Sequence, residues 1–175
     1  FSLKKEVLSN TLENDKNYPI RLQNLAYAHG SLGEYEKSLQ LYFKALKLSE
    51  SKFGTYSSRT AQILDCIGQL YYEIKEFEKA EGFFRKAIEV LDNIKDINDT
   101  HTEYGFYESN LANTLIALDR NTEAINLLDK SINISKKSSF LDQERYLMKQ
   151  HNLARAHMAN GNYETALNIL NQHRV

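Results

Sequence analysis

Residues 22–46 read LQNLAYAHGSLGEYEKSLQLYFKAL, and their pattern returns three more times along the chain. In this stretch Leu22, Leu25, Ala26 and His29 fall at helical spacing, Gly33-Glu34-Tyr35 interrupts them, and Ser38, Leu39, Tyr42, Ala45 and Leu46 resume it. The second copy has Ile67-Gly68, Lys75-Glu76-Phe77, Ala80, Phe84 and Ala87. The third has Leu111-Ala112, Asp119-Arg120-Asn121, Ala124, Leu128 and Ser131. The fourth has Leu153-Ala154, Gly161-Asn162-Tyr163, Ala166 and Leu170. The equivalent positions Leu25, Ile67, Leu111 and Leu153 are 42, 44 and 42 residues apart. Each unit therefore reads as two helices joined by a short turn, with glycine where the first helix ends in units one and four.

Small residues recur on both sides of the turn. Ala26, Gly68, Ala112 and Ala154 are placed to face Ser38, Ala80, Ala124 and Ala166, so the two helices can approach closely. Tyr42, Phe84, Leu128 and Leu170 are placed to fill the space between neighbouring hairpins. One hairpin cannot bury both faces, so the units must stack. The pattern predicts helices over 19–32, 35–51, 58–74, 77–94, 101–118, 122–137, 140–160 and 163–174. Pro19 suits a first helical turn. Ser57 or Ser58, Thr100 with Glu103, and Ser139 with Asp142 offer caps.

These elements resemble the tetratricopeptide repeat (TPR) over about residues 19–175. The resemblance implies an all-α fold, a right-handed α-solenoid of antiparallel hairpins, divided as 19–60, 61–104, 105–146 and a truncated 147–175. Residues 1–18 would end a preceding repeat or form a flanking helix. The period is eight to ten residues longer than the usual repeat of about 34. The helix-ending proline is also missing, with Glu50, Asp92 and Lys136 near its place. The second helices can then run on, as in the long repeats of kinesin light chains and many bacterial TPR proteins. The third unit departs furthest, with Asn121 for the turn aromatic and Ser131 for alanine. Both ends look cut, which suggests a piece of a longer protein with open solenoid ends able to self-associate.

Composition narrows the function. The chain has 175 residues with 22 Lys+Arg against 23 Asp+Glu, a net charge of -1. Such balance disfavours a nucleic-acid or anionic-membrane partner. A single cysteine excludes a disulfide scaffold and a cysteine-rich zinc site. No apolar run approaches the roughly 20 residues of a membrane helix, and no signal peptide is present, so a cytoplasmic setting is expected. The phosphate-loop, metalloprotease and nucleophile-elbow motifs are absent, and no catalytic residue, cofactor or metal is expected. The acidic stretch 96–108 has His101 where a calcium loop needs its turn glycine. The two glycosylation sequons, at Asn98 and Asn133, mean little without a secretion signal. His29 and His157 occupy equivalent positions too far apart to share an ion and read as structural, as does Cys66.

Asn24, Asn110 and Asn152 share one position in three units, with Cys66 in the other. The resemblance places first helices along a concave groove, where such a row can hold a peptide main chain, since an amide both donates and accepts. Tyr27, Gln69, Asn113 and Arg155 lie one turn along the same face, and Asp65 and His151 complete its lining. The expected groove is polar, without the lysine-rich lining of TPR domains that clamp a terminal carboxylate. These residues point to a non-enzymatic scaffold for protein or peptide ligands. The alternative is a regulatory or sensor segment of a larger caspase-like protease or peptide-pheromone-responsive transcription regulator.

Overall fold

In the computed structural model of the chain, residues 15–94, 101–137 and 143–172 are described. They form eight helices and no strand: α1 (Tyr18–Ser31), α2 (Tyr35–Phe53), α3 (Ser58–Glu73), α4 (Phe77–Asp92), α5 (His101–Ala117), α6 (Asn121–Lys137), α7 (Gln143–Ala159) and α8 (Tyr163–Asn171). Each helix packs on its chain neighbour, and α5 also packs on α7. The result is a row of four antiparallel hairpins, an α-solenoid. The first six helices end within two residues of the sequence expectation. The expected caps at Thr100 and Ser139, and residues 1–14, lie outside the described residues.

The turns follow from backbone chemistry. Gly33 and Gly161 adopt φ of 77° and 78°, and the equivalent Lys75 and Asp119 adopt 65° and 60°. All four units thus reverse through a left-handed residue, but only two carry the residue that does so without steric cost. Two turns are further tied by histidine. His29 Nδ1 lies 2.7 Å from Glu34 Oε2, and His157 Nδ1 lies 3.4 Å from Asn162 Nδ2. Both histidines are structural, as the sequence suggested. Ser57 caps α3, its Oγ accepting from the Thr60 amide at 3.2 Å.

Inside each hairpin the small residues meet. Ala26, Ala80, Ala112, Ala124, Ala154 and Ala166 are all buried. Ser38 Oγ donates to the Ala26 carbonyl at 2.6 Å. Between hairpins, Tyr42, Phe84 and Leu128 are buried as expected, while Leu170 is 43% exposed. Leu25 is likewise 47% exposed although Ile67, Leu111 and Leu153 are buried. Ile67 and Leu111 face the preceding hairpin, packing with Tyr42 and Phe84 respectively. The described residues place no hairpin on the corresponding side of Leu25.

The third unit replaces apolar contacts with polar ones. Buried Asn121 donates from Nδ2 to Asp119 Oδ1 at 3.0 Å and to the Ala159 carbonyl at 3.3 Å. It therefore satisfies a carbonyl at the end of α7, where the helix leaves its own unpaired. Buried Ser131 donates to Glu108, which pairs with buried Lys149 at 3.5 Å. At the outer edge, Glu81, Arg85, Arg120 and Glu123 close an ionic ring between α4 and the α5–α6 turn, with Arg85 Nε on Glu81 at 2.9 Å and Arg120 on Glu81 at 2.6 Å. Arg85 and Arg120 each also reach Glu123, at 2.5 Å.

Two predictions follow from this geometry. Exposed Lys75 holds a left-handed φ of 65°, so Lys75→Gly should raise unfolding stability by roughly 0.5–1 kcal/mol in urea titrations. A loss of stability would show that its side chain contributes more than its backbone costs. Enlarging the hairpin contact should do the opposite. A Cβ on Gly68 would sit 2.7 Å from the Phe84 ring, and Ala124 has no exposed surface. Gly68→Ala and Ala124→Leu should each cost about 1–3 kcal/mol, read as a lower melting temperature.

Candidate functional site

The first helices α1, α3, α5 and α7 present one polar face, and hydrogen bonds run across it from helix to helix. Gln23 Nε2 on α1 donates to Cys66 Sγ on α3 at 3.4 Å. Asn110 Nδ2 on α5 donates to Asp65 Oδ1 on α3 at 2.9 Å. Arg155 on α7 donates to Asn113 Oδ1 on α5 at 3.0 Å. Each bond links one hairpin to the next.

The asparagine row is not uniform along this face. Asn24 is exposed, Asn110 is half-buried on Asp65, and Asn152 is buried. The expectation that all three amides stand open to a ligand therefore fails at Asn152. The position faces the preceding first helix, and α7 lies directly against α5, whereas α5 touches α3 only lightly and the described residues place no helix before α1. Tyr27, Gln69, His151 and Arg155 are exposed, Asn113 is half-buried, and Asp65 is buried. The structure brings Asp65, Gln69, Asn110 and Asn113 together around one cavity of about 650 Å3 between α3 and α5. Asn24 and Tyr27 lie on α1 and His151 on α7, and none of these three lines it.

The cavity is lined by Gln62, Asp65, Cys66, Gln69, Tyr72 and Glu73 of α3, by Phe84 of α4, and by Phe106, Tyr107, Asn110 and Asn113 of α5. Of its aromatic wall, Phe106 stands one helical turn before Asn110 on the face the sequence pattern assigns to the groove, whereas Tyr72 and Tyr107 were not read as part of a site. For Tyr72 the signal was present, since it lies one helical turn from Gln69 on the same helix. Among the described residues, the lining carries two carboxyl groups, Asp65 and Glu73, and no lysine, arginine or histidine.

Asp65 is the electrostatic centre of this cavity. Its Oδ2 accepts from Gln69 Nε2 at 2.6 Å, and Oδ1 accepts from Asn110. Burial pushes its carboxyl up to about 6, although both amides oppose the shift. Two neutral donors do not replace the water that the carboxylate has lost. The adjacent Cys66 thiol is also pushed up, to about 11, by burial and by the Asp65 charge. It is therefore protonated at neutral pH and a poor nucleophile. Burial raises the Tyr42 phenol in the same direction. Three acidic groups thus share a patch that disfavours negative charge. No group of histidine, cysteine and carboxylate side chains suited to a metal ion occurs among the described residues.

The comparisons with known proteins agree with this architecture. The tetratricopeptide repeat profile matches residues 18–93 and 105–174, and the chain belongs to that family. Among solved structures, a Podosopora anserina protein with nearly identical TPR-like repeats, described as a kinesin light chain, superposes with a TM-score of 0.79 at 18% identity, over 98% of this chain and 82% of that one. BtubC (BKLC) from P. vanneervenii gives 0.75 at 19% identity, covering 89% of this chain and 61% of that one. MamA gives 0.64 at 17%, covering 95% and 75%. At such identities the likeness carries the fold alone. No curated protein sequence matches significantly.

The upward shift of the Asp65 carboxyl has a sign in stability. A carboxyl whose folded value exceeds its unfolded value near 3.8 favours folding when protonated, and that contribution is lost as pH rises from about 4 through 6. Asp65→Asn mimics the protonated group, and exposed Gln69 can turn its amide to match. The variant should equal the wild type near pH 4 and exceed it by roughly 1–3 kcal/mol near pH 7.5. Thermal melts across that range provide the check, and a variant less stable at pH 7.5 would show that the charge is favourably paired.

Proposed function

We propose that this chain is an interaction scaffold that holds a peptide or partner helix along the face of its first helices. Tetratricopeptide repeats mediate protein–protein interaction, and the family membership is shown by the repeat profile. The observation that carries the finer reading is the open, polar and aromatic cavity between α3 and α5, continuous with exposed side chains on both sides. Tyr27 and Asn24 on one flank, Gln69 and Asn113 at the cavity, and His151 and Arg155 on the other are the proposed contacts. Their mixed donors and acceptors suit a main chain that needs both. Asn110 and Asn152 act through the scaffold, the first by fixing Asp65. Among the described residues no helix is long and apolar enough to cross a membrane. The fold adds no support for a sensor segment within a larger enzyme or transcription regulator.

Selection of random 12-residue peptides displayed on phage provides the test. Gln69→Trp, at an exposed cavity position, should weaken the selected peptides by at least about tenfold, equivalent to one or two lost hydrogen bonds. Lys130→Trp, exposed on α6, should leave them unchanged. Peptides insensitive to Gln69→Trp, or no enriched peptides at all, would overturn the reading.

A further inference from the structure

We propose that the cavity between α3 and α5 seats one cationic side chain of the bound segment, arginine in preference to lysine. This deepens, and rests on, the reading of the first-helix face as a binding surface.

Charge comes first. Asp65 is 6% exposed and Glu73 lines the same cavity, and among the described residues no cation lines the space they share. A buried carboxylate without a cationic partner is costly, and a ligand cation that enters removes that cost. The weakened acidity of Asp65 reports the same imbalance.

Geometry then selects the cation. Each Asp65 oxygen accepts one amide hydrogen, from Gln69 or Asn110. A carboxylate has about four acceptor sites, so about two are left for an incoming group. A planar guanidinium can fill both and stack on an aromatic ring, whereas an ammonium presents a single compact charge. The aromatic wall supplies that ring: Phe106 is 46% exposed, and Tyr72 stands on the facing helix.

The flanks limit the ligand to a single cation. Arg59 donates to Gln62 Oε1 at 2.7 Å, and Arg155 donates to Asn113 Oδ1 at 3.0 Å. Both arginines stand outside the lining, with their guanidinium groups turned onto amides at its border. They repel a run of basic residues while leaving the cavity floor to one of them.

The groups that share the field of Asp65 define the pH response. Cys66, Tyr72 and Glu73 lie on its own helix, Tyr42 on α2, and Tyr107 on α5, while α1 and α4 present Gln23 and Phe84. All of the titratable groups are acids, so acidification can only remove attraction for a cation.

The probes are N-acetyl-arginine N-methylamide and its lysine and citrulline analogues, titrated into the 15N-labelled chain. Citrulline keeps the shape of arginine without its charge. The arginine probe should shift amides of residues 62–73 and 106–113 and bind about tenfold more tightly than citrulline, with lysine between them. Asp65→Asn should bring arginine to within about threefold of citrulline, and lowering the pH from 7.5 to 5 should do the same in the wild type. Should Asp65→Asn not fold, exposed Glu73→Gln should still narrow the preference, by about threefold. Equal binding of arginine and citrulline, or a preference unchanged in these variants, would overturn the proposal. The phage-selected peptides separate the two levels of the argument. If their binding depends on Gln69 but survives replacement of arginine by citrulline, the scaffold reading stands and the cation site falls. If their binding is independent of Gln69, both fall.

Discussion

The structure depends on how closely the two helices of a hairpin can approach. Side chains of one or no carbons stand at each crossing, and this brings backbone into reach of side chain. Ser38 Oγ can bond the Ala26 carbonyl across the first hairpin only because both residues are small. In the second, Gly68 leaves room for the flat ring of Phe84, and a single added carbon would collide with it. Phe84 in turn belongs to the cluster that receives Leu111 and Leu115 of the next hairpin. Close contact within one unit thereby sets the surface onto which the following unit docks. Apolar burial supplies the driving force, but the small residues fix its geometry.

The first-helix face inherits its character from that arrangement. Apolar positions are consumed in the stack, so polar residues remain on the outer side of α1, α3, α5 and α7. They are not independent of one another. Asn110 holds Asp65, Arg155 holds Asn113, and Gln23 reaches Cys66, so the face is partly preorganised before any partner arrives. Preorganised groups lose less freedom on binding. Asp65 departs from this economy, since its two amide partners leave its charge poorly compensated.

Much of the fold was legible because it is local and repeated. Helical spacing, turn glycines and small-residue pairs each recur with a fixed offset, and repetition separates signal from chance. Lys75 and Asp119 show the limit of residue identity: they adopt the backbone that Gly33 and Gly161 mark, and only the repeat register reveals it. Asn121 and Ser131 looked like decay of the pattern. In three dimensions each has a polar partner, the end of α7 for one and Glu108 for the other. The site was less legible. Asn24, Asn110 and Asn152 are identical in sequence position, yet their burial differs because what the preceding hairpin offers differs: no described helix for Asn24, a lightly touching α3 for Asn110 and a closely packed α5 for Asn152. The closeness of that packing is set by the whole interface between units. No single helix encodes it, so a row of identical residues became one exposed amide, one tether and one buried group.

The ionic ring of Glu81, Arg85, Arg120 and Glu123 gives the array a mechanical asymmetry. It fastens the second unit to the third at the outer edge, and this junction is also the one where the repeat spacing widens from 42 to 44 residues. Its charges are partly exposed, so its grip loosens with rising ionic strength, while the apolar contacts beneath it do not. The second and third units, whose first helices α3 and α5 line the cavity, are therefore held together by two kinds of contact, one that salt weakens and one that it does not.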